Sequence, residues 1–236
     1  MKARIKFRKY GALRFIGHLD VMRFFQKVMR RADIPIAFTG GYSPHMIMSF
    51  ASPLGIGVTS DAEYFDIELT APIASKEAVR KMNATMVDGI EVVSFRQIAE
   101  EKKMTGMAIV AAADYLVGIK KGSWPENLTT HVGDFMKQES ICIIKQTKRS
   151  EAEVDIRPLI YHMEVRGGQI FMKLASGSVQ NLKPELVMTA FYRFMGMQEE
   201  QDCFLFHRLE MYACIQCDEG KKLISLEELG EEIIGK

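Results

Sequence analysis

No stretch of the 236 residues reaches the ~18–20 uninterrupted apolar positions that a bilayer-spanning helix needs, and the most apolar run, Met107 to Ile119, is broken by Asp114. A helical membrane span is excluded. The opening Met-Lys-Ala-Arg-Ile-Lys-Phe-Arg-Lys has no apolar core behind its basic tip, so it does not read as a secretory signal, and a cytoplasmic location is expected. Cysteine is scarce: positions 142, 203, 214 and 217 are too few and too unevenly spaced for a disulfide framework, and reduced thiols are expected. Charge of one sign is also missing, since 31 Lys+Arg face 30 Asp+Glu for a net +1. The chain has no Walker-type phosphate loop, GxGxxG turn, GxSxG elbow or CxxxCxxC cluster. Nucleotide hydrolysis and iron–sulfur radical chemistry by those routes are therefore excluded for this chain alone. What remains, 47% hydrophobic and 26% charged, is a globular composition of a length suiting one large or two small domains.

Period-two alternation of Arg4, Lys6 and Arg8 with Ile5 and Phe7 predicts a half-buried strand at 3–9. Leu19, Met22, Phe25 and Met29 recur at helical spacing behind Gly17, predicting a helix over about 18–32 with Asp20 suited to its positive end. Strand-like segments follow at 34–39, 46–50, 64–69 and 90–95, with a Ser75-capped helix to about 86. A polar stretch, Glu100 to Lys103, marks a boundary, after which the order recurs. Strands are expected at 112–119 and 141–146, helices at 126–138 and 184–195, and a closing strand at 204–213. The clearest hairpin joins 161–165 to 169–174 through Arg166-Gly167-Gly168. The expected fold is α+β: tandem ferredoxin-like (β-α-β-β-α-β) domains, 1–100 and 106–217, with antiparallel sheets and helices on one face. Residues 218–236, with six acids, three Lys and helical spacing of Leu226, Leu229 and Ile233, are expected as an acidic helix or tail.

Charge is uneven where the total is balanced. Residues 1–31 hold ten Lys/Arg against Asp20 alone, a local +9, so the other 205 residues sum to −8. Polyanions respond to the local field, and phosphate contacts release counterions. Arg23, Lys27, Arg30 and Arg31 form one helical stripe, while Arg4, Lys6 and Arg8 share one strand face, expected to be the open face of the sheet. Lys145, Lys148 and Arg149, with Arg157 beyond them, form a second basic patch that extends the track. Solvated faces that keep a small domain soluble have the same pattern, and no aromatic pair for base stacking is evident on the expected strands.

Two loop clusters bear chemistry. Gly17-His18-Leu19-Asp20 places an imidazole and a carboxylate at a helix start, and Tyr42-Ser43-Pro44-His45 places a second His in a glycine-rich turn. If the turn folds over the helix, His18, Asp20 and His45 meet as an acid–base or metal-binding set; otherwise each serves its own local hydrogen bonds. Cys214-Ile215-Gln216-Cys217 is a lone CxxC, a weak metal or redox signal without a second pair. No cofactor or metal is assigned.

The segments Arg14 to Asp20, Gly41-Tyr42-Ser43-Pro44-His45, Ser49-Phe50-Ala51, Pro53-Leu54-Gly55-Ile56-Gly57, Glu63 to Leu69 and Val154 to Ile160 together resemble the radical-SAM-linked family. That family is a bacterial domain of unknown function found alone or fused behind a B12-type radical SAM protein. Its turn more usually reads Gln-Gly-Phe-Asn-Pro-His; here Gly40-Gly41-Tyr42-Ser43-Pro44-His45 retains the histidine but not the amides. The resemblance implies association with a radical SAM partner and gene neighbourhoods concerned with ribonuclease and ribosome functions, with no established reaction. The expected function is an RNA-binding accessory protein that presents RNA to a radical SAM modification enzyme, more a non-catalytic module than an enzyme. The rivals are an acid–base enzyme acting through His18, His45 and Asp20, and a protein-interaction adaptor docking through the acidic C-terminal segment. The oligomeric state is not legible.

Overall fold

The architecture comes from a computed structural model, which describes residues 1–146, 151–197, 203–217 and 220–235. In the first half the order is β1 (Lys2–Lys9), α1 (His18–Arg31), β2 (Met48–Phe50), β3 (Thr59–Glu68), α2 (Ser75–Asn83) and β4 (Ile90–Ile98). A short helix, α3 (Gly106–Ile109), then leads into β5 (Val110–Ile119), α4 (Leu128–Met136), β6 (Cys142–Gln146) and β7 (Glu151–Asp155). The chain continues through β8 (Ile160–Arg166), β9 (Gln169–Ala175), α5 (Pro184–Phe194), β10 (Phe204–Cys217), β11 (Gly220–Ser225) and β12 (Glu231–Glu232). The fold is mixed α+β with a mostly antiparallel sheet. Among the described residues, no helix is long and apolar enough to cross a membrane.

Ten strands join in one sheet. Its path is β12-β4-β1-β3-β10-β5-β9-β8, with β2 pairing β3 and β11 pairing β10, while β6 and β7 form a separate hairpin. The halves meet where β3 and β10 run parallel, Thr59 beside His207 and Ser60 beside Arg208. Every other pairing in the sheet is antiparallel.

Two cores flank this seam. Ala3, Ile5 and Phe7 alternate onto one face of β1 and pack with Val21, Phe25, Val28 and Met29 of α1 and Ala78 and Met82 of α2. Rings of Phe7, Phe25 and Phe65 meet at centroid separations of 4.6–5.8 Å, within the range of favourable aromatic pairs. The second core joins Val132 and Phe135 of α4 to Val187 and Phe191 of α5 over the β5 residues Ala113, Tyr115 and Val117.

Two expectations are corrected here. The face of β1 opposite α1 is not open, because the 104–106 connection and the turn at 226–230 lie over it: Arg4 Nη1 donates to Leu226 O and Nη2 to Met104 O. The C-terminal segment is also not helical in its described part. It forms β11, a turn and β12, with Leu226 fully buried. Gly230 explains the turn: a Cβ there would stand 2.7 Å from Arg96 Cβ and 3.0 Å from Gln97 O, so the backbone presses against β4 too closely for a side chain.

Gly177 fixes the exit from β9 in the same way. Its φ is +145°, and an added Cβ would drive into the carbonyl oxygen of Val110. Gly177→Ala is expected to cost at least about 2 kcal/mol, lowering Tm by roughly 4–8 °C in a thermal melt followed by circular dichroism.

Candidate functional site

Arg4 and Lys6 of β1 act as internal clamps, tying the strand to β3, to β10 and to the C-terminal turn. Arg4, 2% exposed, donates through Nε and Nη2 to the carboxylate of Asp66 at 2.8 and 3.0 Å. Lys6 Nζ donates to Glu210 of β10 at 2.8 Å and to Glu227 of the C-terminal turn at 2.9 Å. Burial alone would lower the Lys6 pKa, but the two carboxylates outweigh it and hold the ammonium above its ordinary value. Burial would likewise raise Glu227, and Lys6 reverses it, so that carboxyl lies below its ordinary value. Arg8 is more exposed, with Nε 3.5 Å from Asp61 and Nη1 3.3 Å from Glu91. A phosphate finds no free donor edge on Arg4 or Lys6, so these two do not line a nucleic-acid track. The acids that neutralise them all lie beyond residue 31, in the part of the chain that carries the compensating negative charge.

The stripe on α1 is different. Arg23, Lys27, Arg30 and Arg31 are all exposed. Arg23 lies 3.6 Å from Asp20, and the other three have no carboxylate partner among the described residues. Since Val21, Phe25, Val28 and Met29 hold α1 on the sheet, the cations necessarily face outward. The α1 stripe and the β1 cations consequently lie on opposite sides of the sheet.

Of the second patch only the Arg157 side chain is described, and it is taken up by backbone carbonyls. Arg157 Nη1 and Nη2 donate to Ile160 O and Met136 O at 3.2 and 2.9 Å, tying β8 to the end of α4. Lys145 pairs with Ala152 across the β6–β7 hairpin; its side chain, and the whole of Lys148 and Arg149, fall outside the described residues.

His18, Asp20 and His45 are not joined by any hydrogen bond or ion pair among the described residues. His18 meets the Phe50 ring edge-on at 5.0 Å, and burial there lowers its pKa below the ordinary imidazole value. Asp20 turns to Arg23, while His45 Nδ1 bonds Thr39 Oγ1 at 3.2 Å in the exposed 39–45 turn. No group of three or more metal-capable side chains occurs among the described residues. Cys214 and Cys217 lie on β10 three residues apart, a spacing that sends side chains to opposite faces of a strand.

A cluster not expected from the sequence sits at the seam. Arg208, 4% exposed, donates from Nη1 to Glu63 Oε1 and to Ser52 O, each at 2.9 Å, and from Nε to the Tyr115 hydroxyl at 3.3 Å. Burial opposes its charge, yet Glu63 and Tyr115 together hold the guanidinium above its ordinary value. Lys9 stands nearby, its ammonium lowered by burial against the pull of Glu63. A charged residue within each strand, Glu63 on β3 and Arg208 on β10, is the one signal that sequence reading could have used, but the two are 145 positions apart.

Beside this cluster the 56–58 segment borders a cleft of about 250 Å³ between the halves. Its walls include Arg14, Phe15, Ile56, Lys120, Glu185 and Phe206. Gly57 N donates to Arg14 O at 2.8 Å, and Lys120 N to Cys203 O at 2.7 Å, so backbone bonds fix both rims. The Arg14 guanidinium stacks over Phe15 at 4.8 Å from the ring centroid.

Residues 2–184 match the model of a family described as an uncharacterized protein conserved in bacteria, DUF2344. No curated protein matches the chain. Among solved structures, a chain of a Cbf5–Nop10–Gar1 complex is similar at a TM-score of 0.44 and 12% identity, over 89% of this chain and 48% of that one. This chain therefore spans about half the length of that one, and a likeness at this level carries no functional argument.

Proposed function

The chain belongs to the bacterial DUF2344 family, and from that premise we propose that it is an RNA-binding accessory module whose α1 grips the phosphate backbone. The observation that carries this reading is the outward row Arg23, Lys27, Arg30 and Arg31, three of whose charges meet no carboxylate among the described residues. A row of unpaired cations on a rigid helix is suited to following phosphates, because it adds favourable contacts without desolvating a buried ion pair. The radical SAM enzyme expected as its partner rests on the motif resemblance from Arg14 to Leu69 and at Val154 to Ile160. Working beside such an enzyme, the module holds RNA while the chemistry belongs to the partner.

We read the two halves, 1–100 and 106–217, as tandem ferredoxin-like units. Support comes from strand orders β4-β1-β3-β2 and β10-β5-β9-β8, the same spatial order built from the same sequence order in each half. In each, a helix follows the first and the third strand of the unit, and the β6–β7 hairpin is an insertion in the second.

Retention of total cellular RNA at stepped salt tests the function. The wild type is expected to bind at low salt and to release as salt rises. The triple variant Arg23→Glu, Lys27→Glu, Arg30→Glu is expected to lose about a hundredfold in affinity, with the slope of log K against log salt flattened by roughly 2 for single strands. These side chains are exposed, so its fold should survive. Unchanged retention in the triple variant removes the proposal.

A further inference from the structure

A bare aromatic ring stands in the turn that leads into α1. Phe15 closes the single 3-10 turn Gly11–Phe15, only Ile16 and Gly17 separate it from the helix, and it is 60% exposed. The backbone on either side of it is pinned. Arg14 O accepts from Gly57 N at 2.8 Å, and Ile16 O accepts at 3.0 Å from the ammonium of Lys9, a residue only 2% exposed. The ring is thus held out in water on a fixed base, which lowers the ordering cost of any contact made through it. Arg14 lies over the ring at 4.8 Å from its centroid and leaves much of it open. Ile56 and Leu205, 69% and 40% exposed, line the same cleft, and Ile56 Cδ1 would lie 4.0 Å from a Cβ placed on Gly17 at the start of α1. The apolar rim therefore reaches the basic helix. Arg14 and Lys120 on the walls meet no carboxylate among the described residues, and Glu185 is the one acid among the described lining residues. Single apolar side chains scattered over a surface are ordinary, but three that line one cleft with two unpaired cations mark a place of contact.

From this arrangement we infer that Phe15 and Arg14 form a stacking platform for one unstacked base of a single-stranded RNA, with Lys120 on a flanking phosphate. Every base has a π-face, so a platform of this kind takes any base and needs no hydrogen-bond partner on the base edge. A duplex keeps its bases stacked on one another and presents no free face to it. The cleft volume of about 250 Å³ likewise suits one base and not a duplex. This assignment rests on the RNA-binding reading and deepens it, since α1 grips phosphates, which single and double strands both carry, whereas the rim selects the single strand.

The test uses the full chain and two labelled probes, the single strand U9 and an RNA duplex of the same length, followed by fluorescence anisotropy at stepped salt. Phe15→Leu keeps an apolar side chain but no ring, and it is expected to weaken U9 binding about tenfold while leaving duplex binding unchanged. Phe15→Trp is expected to bind U9 at least as tightly as the wild type. Neither change removes a charge, so the slope of log K against log salt keeps its wild-type value, whereas Lys120→Gln is expected to flatten it for U9 by roughly 0.7. Position 15 is exposed, so both variants should keep the fold. Phe15→Leu binding U9 as the wild type does, or weakening strand and duplex alike, overturns the inference. If Phe15→Leu holds U9 and the α1 triple variant releases it, RNA binding through α1 stands and the platform falls. If Phe15→Leu releases U9 and the α1 variant holds it, the platform stands and the α1 grip falls. A wild type that retains neither probe removes both and points the apolar rim to a protein partner.

Discussion

Arg208→Met is expected to destabilise the protein by about 3–5 kcal/mol, a large share of the roughly 5–15 kcal/mol that holds a typical domain folded. The cost comes less from the lost bond than from what it leaves behind. Glu63 is 4% exposed, and without the guanidinium its carboxylate must stay charged in a desolvated site or take up a proton. Burial already pushes this carboxyl above its ordinary value, against the opposing pull of Arg208, Ser60 and Lys9, so loss of Arg208 moves it further upward. Ser52 O and the Tyr115 hydroxyl lose their donor at the same time. Urea denaturation at pH 7 measures the loss. The double variant Arg208→Met, Glu63→Leu is expected to recover most of it, because apolar replacement of both partners removes the unpaired charge. A single variant as stable as the wild type would show that the pair contributes nothing to the seam.

The same cluster shows where sequence reading stops. Helical periodicity identified α1 to within one residue of its observed end, and Arg166-Gly167-Gly168 marked the β8–β9 hairpin, because both signals are local and repeat within a few positions. Alternation in β1 correctly grouped Arg4, Lys6 and Arg8 on one face, but period two says only which residues share a face, not what covers it. Here the cover is supplied by Met104, Leu226 and Glu227, about 100 to 220 positions along the chain, and it converts an apparent polyanion-binding face into a joint. Within α1, Leu19 belongs to the expected apolar stripe and yet is 60% exposed, since the helix meets the sheet through Val21, Phe25, Val28 and Met29. The C-terminal apolar spacing was real, and Leu226 is fully buried, but Gly230 and the close approach to β4 select strand and turn over helix. Of the candidate site, the α1 stripe was legible because outward cations need only a helix and its apolar side. The cleft was not, because Arg14, Lys120 and Glu185 come together only through the β3–β10 seam and the order of strands across it.

Asp66→Ala is the second change expected to unseat the structure, and it does so by uncovering a cation instead of an anion. Asp66 accepts from Arg4 Nε and Nη2 and from the Gly106 backbone N–H, the last at 2.7 Å, so one carboxylate fastens β3 to β1 and to the start of α3. Its loss leaves the Arg4 guanidinium buried, with carbonyl oxygens of Leu226 and Met104 as its remaining partners. An expected cost of about 3–5 kcal/mol follows from an uncompensated buried charge, and Arg4 cannot shed its proton to escape it. Asp66→Asn keeps one acceptor but turns an amide donor toward a donor, so it is expected to recover only part of the loss. Amide hydrogen exchange separates local from global failure. If the joint alone opens, the amides of Gly106 and Leu226 exchange fast while those of Phe7 and Phe65 stay protected; if the halves depend on the joint, all four lose protection together. Because Arg4 bonds both the 104–106 connection and the C-terminal turn, the second outcome is expected, with the cationic strand acting as the clamp without which the two cores do not remain one sheet.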